Sequence, residues 1–143
     1  MRALDSAETT VRTLLHTRRL RRNDGCHLRD DDSACDGQKP KKYEADFLVD
    51  TGATDCLAPA NKLRKAGVKP MGKMSYELAN GSVVEYPFSV MVIEFMREIT
   101  GGRVIFGPDD DEPFLGVTAL ESVGIIIDPA SQTLKRQPAV PLK

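Results

Sequence analysis

The stretch FLVDTGATDCLAP, residues 47–59, carries an acid where one is costly. Phe47, Leu48 and Val49 run directly into Asp50, followed by Thr51, Gly52 and Ala53. A carboxylate at the end of a buried strand is expensive to ionise unless a partner satisfies it or a reaction uses it. Gly52 lets the chain turn tightly and another group approach, and the Thr51 hydroxyl can hold that turn by hydrogen bonding. The segment therefore presents an acid on a tight turn, suited to general acid–base work. An Asx turn with no catalytic role uses the same three residues, so the triplet alone leaves both readings open.

The other reactive side chains fit catalysis less well. Cys56 follows the turn, but a thiol nucleophile needs a base, and both histidines, His16 and His27, lie upstream of residue 42. Cys56 reads as a buried structural residue. Cys26, His27 and Cys35 lack the usual paired spacing of zinc ligands and an evident fourth ligand. The run Asp109 to Glu112 does not have calcium-loop spacing and reads as a solvated acidic loop. No metal site is expected.

The elements that must position Asp50 are short strands. YEADFLV alternates Tyr43, Ala45, Phe47 and Val49 against Lys42, Glu44 and Asp46, a period of two with one face buried. ELANGSVVEY sets Asn80-Gly81 between extended segments, a strong hairpin signal. SVMVIEF and GRVIF are further strands, with Met91, Ile93 and Phe95 on one core-facing side. VGIIIDPASQTLKR reads as strand, turn and return strand. Two short helices intervene. One opens at Pro59 and ends at Gly67. The other has capping-box spacing at Thr118 and Glu121, and Gly124 to end it.

At 143 residues the chain suits one domain. Hydrophobic residues make up 41% and aromatics only 6%, with no Trp, so the core is expected to be aliphatic. A net charge of −1 gives no reason to expect nucleic acid or an acidic membrane surface as partner. No apolar run reaches a membrane-spanning length, no signal-peptide core is evident, and an odd three cysteines point to reduced thiols in the cytoplasm. Composition shifts near residue 42. Residues 1–42 read as a polar, flexible tail, with a short helix holding Val11, Leu14 and Leu15, and residues 43–143 as the folded domain.

VDTGATDCLAP at 49–59 and FLGVTALESVGIIIDPASQTLKR at 114–136 together resemble the retropepsin-type aspartic proteases, in particular their small bacterial relatives. The similarity covers roughly residues 43–138. It implies a small, closed or partly open β-barrel with one or two short helices, acting on peptide or protein substrates without a cofactor. It implies that Asp50 is the catalytic aspartate. Thr51, Gly52 and Ala53 would complete its turn, and Leu115 and Gly116 would pack beneath it. The hairpin of Leu78, Ala79, Asn80, Gly81 and Ser82 would be a flap that closes over substrate.

Carboxylate-driven hydrolysis needs two acids sharing one proton. The chain has one Asp-Thr-Gly triplet; Asp46 faces the other side of its strand and Asp55 follows the turn. The partner acid must then be Asp50 of a second copy, which predicts a two-fold homodimer. Ala53 has no hydroxyl to donate to the carboxylate, so an activity optimum nearer neutral is expected. The family's usual strand ahead of the catalytic strand has no counterpart in residues 21–42, and QPAVPLK at the end is at best an edge. That departure keeps a second reading open: a retropepsin-like dimerisation or peptide-binding module without turnover.

Overall fold

The computed structural model describes residues 10–17, 42–128, 130–140 and 142. The protein is mostly β with two short helices. In chain order these are β1 (Thr10–His16), β2 (Lys42–Val49), β3 (Cys56–Pro59), α1 (Ala60–Lys65), β4 (Gly72–Glu77), β5 (Val83–Phe95), β6 (Glu98–Gly107), β7 (Phe114–Leu115), α2 (Val117–Ser122), β8 (Ile125–Asp128) and β9 (Thr133–Arg136).

The first seven strands form one sheet in the order β1-β2-β7-β3-β6-β5-β4. A further pairing of β1 with β5, Thr13 opposite Phe95 and His16 opposite Val92, closes six of them into a ring. β4 is left outside it, paired through β5 alone. The 13-residue β5 makes this possible: its first half carries β4 and its last four residues carry β1. β8 and β9 form a separate hairpin.

The core fills the ring with Leu15, Phe47, Leu63, Ile93, Val104, Leu115 and Ile125, each fully enclosed. It is largely aliphatic, with Phe95 and Phe106 beside Phe47. Met91, Ile93 and Phe95 are all buried, as their alternation predicts.

The chain start departs from its sequence reading. Residues 10–16 form a strand, not a helix, antiparallel to β2 with Val11 opposite Phe47 and Leu15 opposite Tyr43. The physical reason is period. Val11, Thr13 and Leu15 alternate inward, and all three are buried, whereas Leu14, which a helix would set beside Val11 and Leu15, is only half-buried. The Thr13 hydroxyl, enclosed in the core, donates to the Val11 carbonyl at 3.0 Å. A strand ahead of β2 is thus present upstream of residues 21–42, in part of what reads as a tail. Cys26, His27, Cys35 and most of the Arg-rich and acidic runs lie outside the described residues.

Other expectations hold with local differences. Gly67, Gly81 and Gly124 each take positive φ where a helix or hairpin turns. The β5–β6 hairpin turns on Met96 and Arg97, at φ 49° and 63°, with Phe95 opposite Glu98. These are type I′-like angles without the usual Asn or Gly. Arg136 of β9 donates to the Met96 carbonyl and to Glu98, which ties the terminal hairpin to that turn. The capping box at Thr118 and Glu121 does not form. Gly116 is the N-cap, without a side-chain cap bond. Among the described residues no helix is long and apolar enough to cross a membrane.

Candidate active site

Asp50 stands where β2 ends. Its backbone N–H donates to the Leu115 carbonyl at 3.0 Å, which continues the parallel register of Leu48 with Phe114 and Val49 with Leu115. The two-residue β7 is thus inserted between β2 and β3, and it meets β3 antiparallel at Leu57. The chain leaves β2, turns through residues 50–55 and returns along β3, with β7 wedged between the two arms.

One carboxylate oxygen of Asp50, Oδ1, accepts the Gly52 N–H at 2.9 Å, and the Asp50 carbonyl accepts the Ala53 N–H at 3.3 Å. This is the Asx turn that the triplet allows. Asp50 is half-buried, while Thr51 and Gly52 are exposed. The rest of the turn is backed by α2. The first two helical N–H groups, which lack intrahelical acceptors, donate to this loop: Val117 to the Ala53 carbonyl at 2.9 Å and Thr118 to the Thr54 carbonyl at 3.3 Å. These bonds take the place of the capping box. Leu115 is fully buried beneath the turn, and Gly116 passes against it. A Cβ at Gly116 would lie 2.5 Å from both the Thr54 and Asp55 carbonyl oxygens, so only glycine lets helix and loop meet at this distance.

The hairpin of Leu78 to Ser82 projects from the β4–β5 arm with all five residues exposed. Leu78 N–H donates to the Ser82 carbonyl at 2.8 Å, and the Ser82 N–H and hydroxyl both donate to Asn80 Oδ1, at 2.9 and 2.6 Å. Gly81, at φ +82°, has open space around it; its backbone angle rather than crowding calls for glycine.

Asp46 and Asp55 each have other partners. Asp46 is exposed on the outer face of β2, 3.6 Å from Arg12. Asp55 Oδ2 accepts the Tyr76 hydroxyl at 2.9 Å and lies 3.5 Å from Arg103 Nη1. Burial, with Asp55 adding to it, raises the Tyr76 phenol above its ordinary value, so it remains a donor through neutral pH. Cys56 is buried, and burial pushes its thiol up to about 11, which leaves it protonated and unreactive. Among the described residues no group of three or more His, Cys, Asp or Glu could hold a metal ion.

Sequence reasoning did not reveal two features. Asp109, read as part of a solvated loop, accepts the Asn61 N–H at 2.8 Å and so caps the first turn of α1 from a distance. The Asp55–Tyr76–Arg103 cluster joins three elements remote in sequence, and no local pattern encodes it.

The class is thus a closed, mostly β sheet that presents an aspartate on a glycine turn backed by a glycine-led helix. The family model described as aspartyl protease matches residues 36–117, more than half of the sequence, and the chain belongs to that family. Among solved structures, it is similar to a retropepsin-like aspartic protease from Rickettsia conorii. The identity is 23% and the TM-score 0.41, over 60% of this chain and 68% of that one. No curated protein matches the sequence.

Proposed function

We propose that the chain is an aspartic endopeptidase of retropepsin type, active as a homodimer in which Asp50 of each copy meets the other on the two-fold axis. The observation that carries this reading is the Asp50-Thr51-Gly52 turn. It ends a partly buried strand, is braced from behind by Leu115, Gly116 and α2, and leaves Thr51 and Gly52 open to solvent. A turn rigid on its inner side and bare on its outer side suits a face that a second copy covers. The family match spans this turn, the hairpin and Gly116 together.

In the proposed reaction one carboxylate of the pair is ionised and the other protonated. The ionised group takes a proton from water as the water oxygen attacks the peptide carbonyl carbon. The protonated group donates to the carbonyl oxygen as negative charge builds there. The tetrahedral intermediate collapses with C–N cleavage, and the amine leaves with a proton supplied by the dyad. Thr51 braces the turn, and the Leu78–Ser82 hairpin closes as a flap that excludes water from the bound peptide. These steps require no metal or cofactor. A cytoplasmic location and a peptide or protein substrate belong to the same proposal.

The strand β1, paired ahead of β2, supports this reading over that of a module without turnover. The test is to measure mass in solution and cleavage of a mixed peptide pool by wild type and Asp50→Asn. Cleavage by the wild-type dimer that is lost in a dimeric Asp50→Asn supports the endopeptidase. A folded wild-type dimer that cleaves nothing from acid to neutral pH rejects it.

A further inference from the structure

Among the described residues β4 is paired by backbone bonds only with β5, and residues 77–83 around the hairpin are all exposed. Backbone pairing therefore holds this hairpin from the β5 side alone. Two side chains on one face of β4 touch other elements. Met74 contacts Arg103, and the Tyr76 hydroxyl donates to Asp55 at 2.9 Å. Asp55 is five residues beyond Asp50, in the same loop. One hydrogen bond thus joins the base of the hairpin to the loop that carries the acid.

The acceptor has a second neighbour, a cation. Arg103 of β6 lies 3.5 Å from Asp55 Oδ2, with Asp55 only 13% exposed and Arg103 36%. The guanidinium also sits 4.6 Å from the centre of the Phe88 ring of β5. An ionised, oriented acceptor makes the Tyr76 bond roughly twice as strong as a neutral one. The anchor belongs to the closed ring, and the donor belongs to the strand outside it.

We propose that Asp55, ion-paired with Arg103, latches the flap through the Tyr76 hydroxyl and so sets the clearance between the Leu78–Ser82 hairpin and the Asp50 turn where peptide must fit. The proposal rests on the endopeptidase reading for its effect on substrate, but the latch itself does not. Asp55 and Tyr76 are positioning residues. With the hairpin held near its working height, less ordering remains to be done when peptide binds. A phenol–carboxylate bond can also open and re-form as substrate enters.

The test uses the full-length dimer as wild type, Tyr76→Phe, Asp55→Ala and Asp55→Asn. Tyr76→Phe removes only the hydroxyl and keeps the ring beside Tyr86, whose centre is 6.4 Å away. For Tyr76→Phe and Asp55→Ala, KM for a peptide substrate rises about tenfold (~1.4 kcal/mol) with kcat within about twofold. The β4 amides exchange with solvent about tenfold faster, while those of Val104 to Phe106 are unchanged. Asp55→Asn, which keeps an acceptor oxygen, falls between wild type and Asp55→Ala in both readouts. Unchanged β4 exchange in Tyr76→Phe overturns the latch. So does faster exchange throughout the protein, or a fall in kcat at constant KM, because each marks a merely structural role. If β4 exchange speeds up but KM stays fixed, the positioning role is refuted. If the wild-type dimer cleaves nothing, the endopeptidase reading fails, and the exchange measurement still decides the latch.

Discussion

Gly116→Ala tests the packing behind the Asp50 turn, and the sign of its effect is the informative part. Gly116 has φ −82° and ψ 165°, extended angles that alanine adopts freely. On conformational grounds alone the change would stabilise the protein by about 0.4–1 kcal/mol, through the unfolded chain. The folded state opposes this. The new Cβ would sit 2.5 Å from two carbonyl oxygens, those of Thr54 and Asp55, where a carbon–oxygen contact ordinarily needs about 3.3 Å. Both oxygens belong to backbone, so no side chain can swing aside. Helix and loop must separate by about 0.8 Å, which stretches the Val117–Ala53 and Thr118–Thr54 bonds; overpacking of this kind costs about 1–3 kcal/mol. At the middle of both ranges the net cost is about 1.3 kcal/mol, which predicts a fall in Tm of roughly 3–6 °C by calorimetry or circular dichroism. Displacing the turn by nearly 1 Å also lowers kcat/KM by about 10²-fold. A Tm equal to or above that of wild type would refute the placement of α2 against the loop.

Three further predictions address other parts of the account. Leu15→Ala empties a fully buried site in β1 and is expected to cost about 2–5 kcal/mol in urea unfolding; a loss under about 0.5 kcal/mol would put residues 10–16 back outside the core. Ala53→Ser adds a hydroxyl that can donate to the carboxylate, so the acid limb of the pH–rate profile should move to lower pH; no movement, or movement upward, contradicts this. Cys56, whose thiol is pushed up to about 11 by burial, should alkylate at pH 8 about 10²-fold more slowly than in the urea-unfolded chain, read by mass spectrometry of its own peptide; equal rates would mean the site is open.

What the sequence made legible follows from which signals are local. The alternation of Tyr43 to Val49, the Asn80-Gly81 turn and the glycines after both helices encode their structure within a few residues, and each formed as read. Val11, Leu14 and Leu15 were ambiguous, because a short apolar set fits a helix face as well as a strand face until a partner strand selects one. β2 and β5 make that selection. The Thr118 and Glu121 capping box lost to tertiary acceptors: the loop carbonyls of Ala53 and Thr54 took the helical N–H groups first. Gly116 was legible as part of a motif, but the 2.5 Å approach that requires it was not. Asp109 on α1, Tyr76 on Asp55 and Arg136 on the Met96 turn join residues 21 to 48 apart in sequence, and no periodicity marks such pairs.

The central claim is that one reaction centre takes one Asp50 from each of two chains. It is tested most directly by mixing wild type with Asp50→Asn at equal total concentration and letting the subunits re-equilibrate before cleavage is measured. If both acids serve one site, only wild-type pairs are active, and a one-to-one mixture retains about a quarter of the wild-type rate. A mixture that retains half would mean that each chain cleaves by itself, and the shared dyad would be wrong.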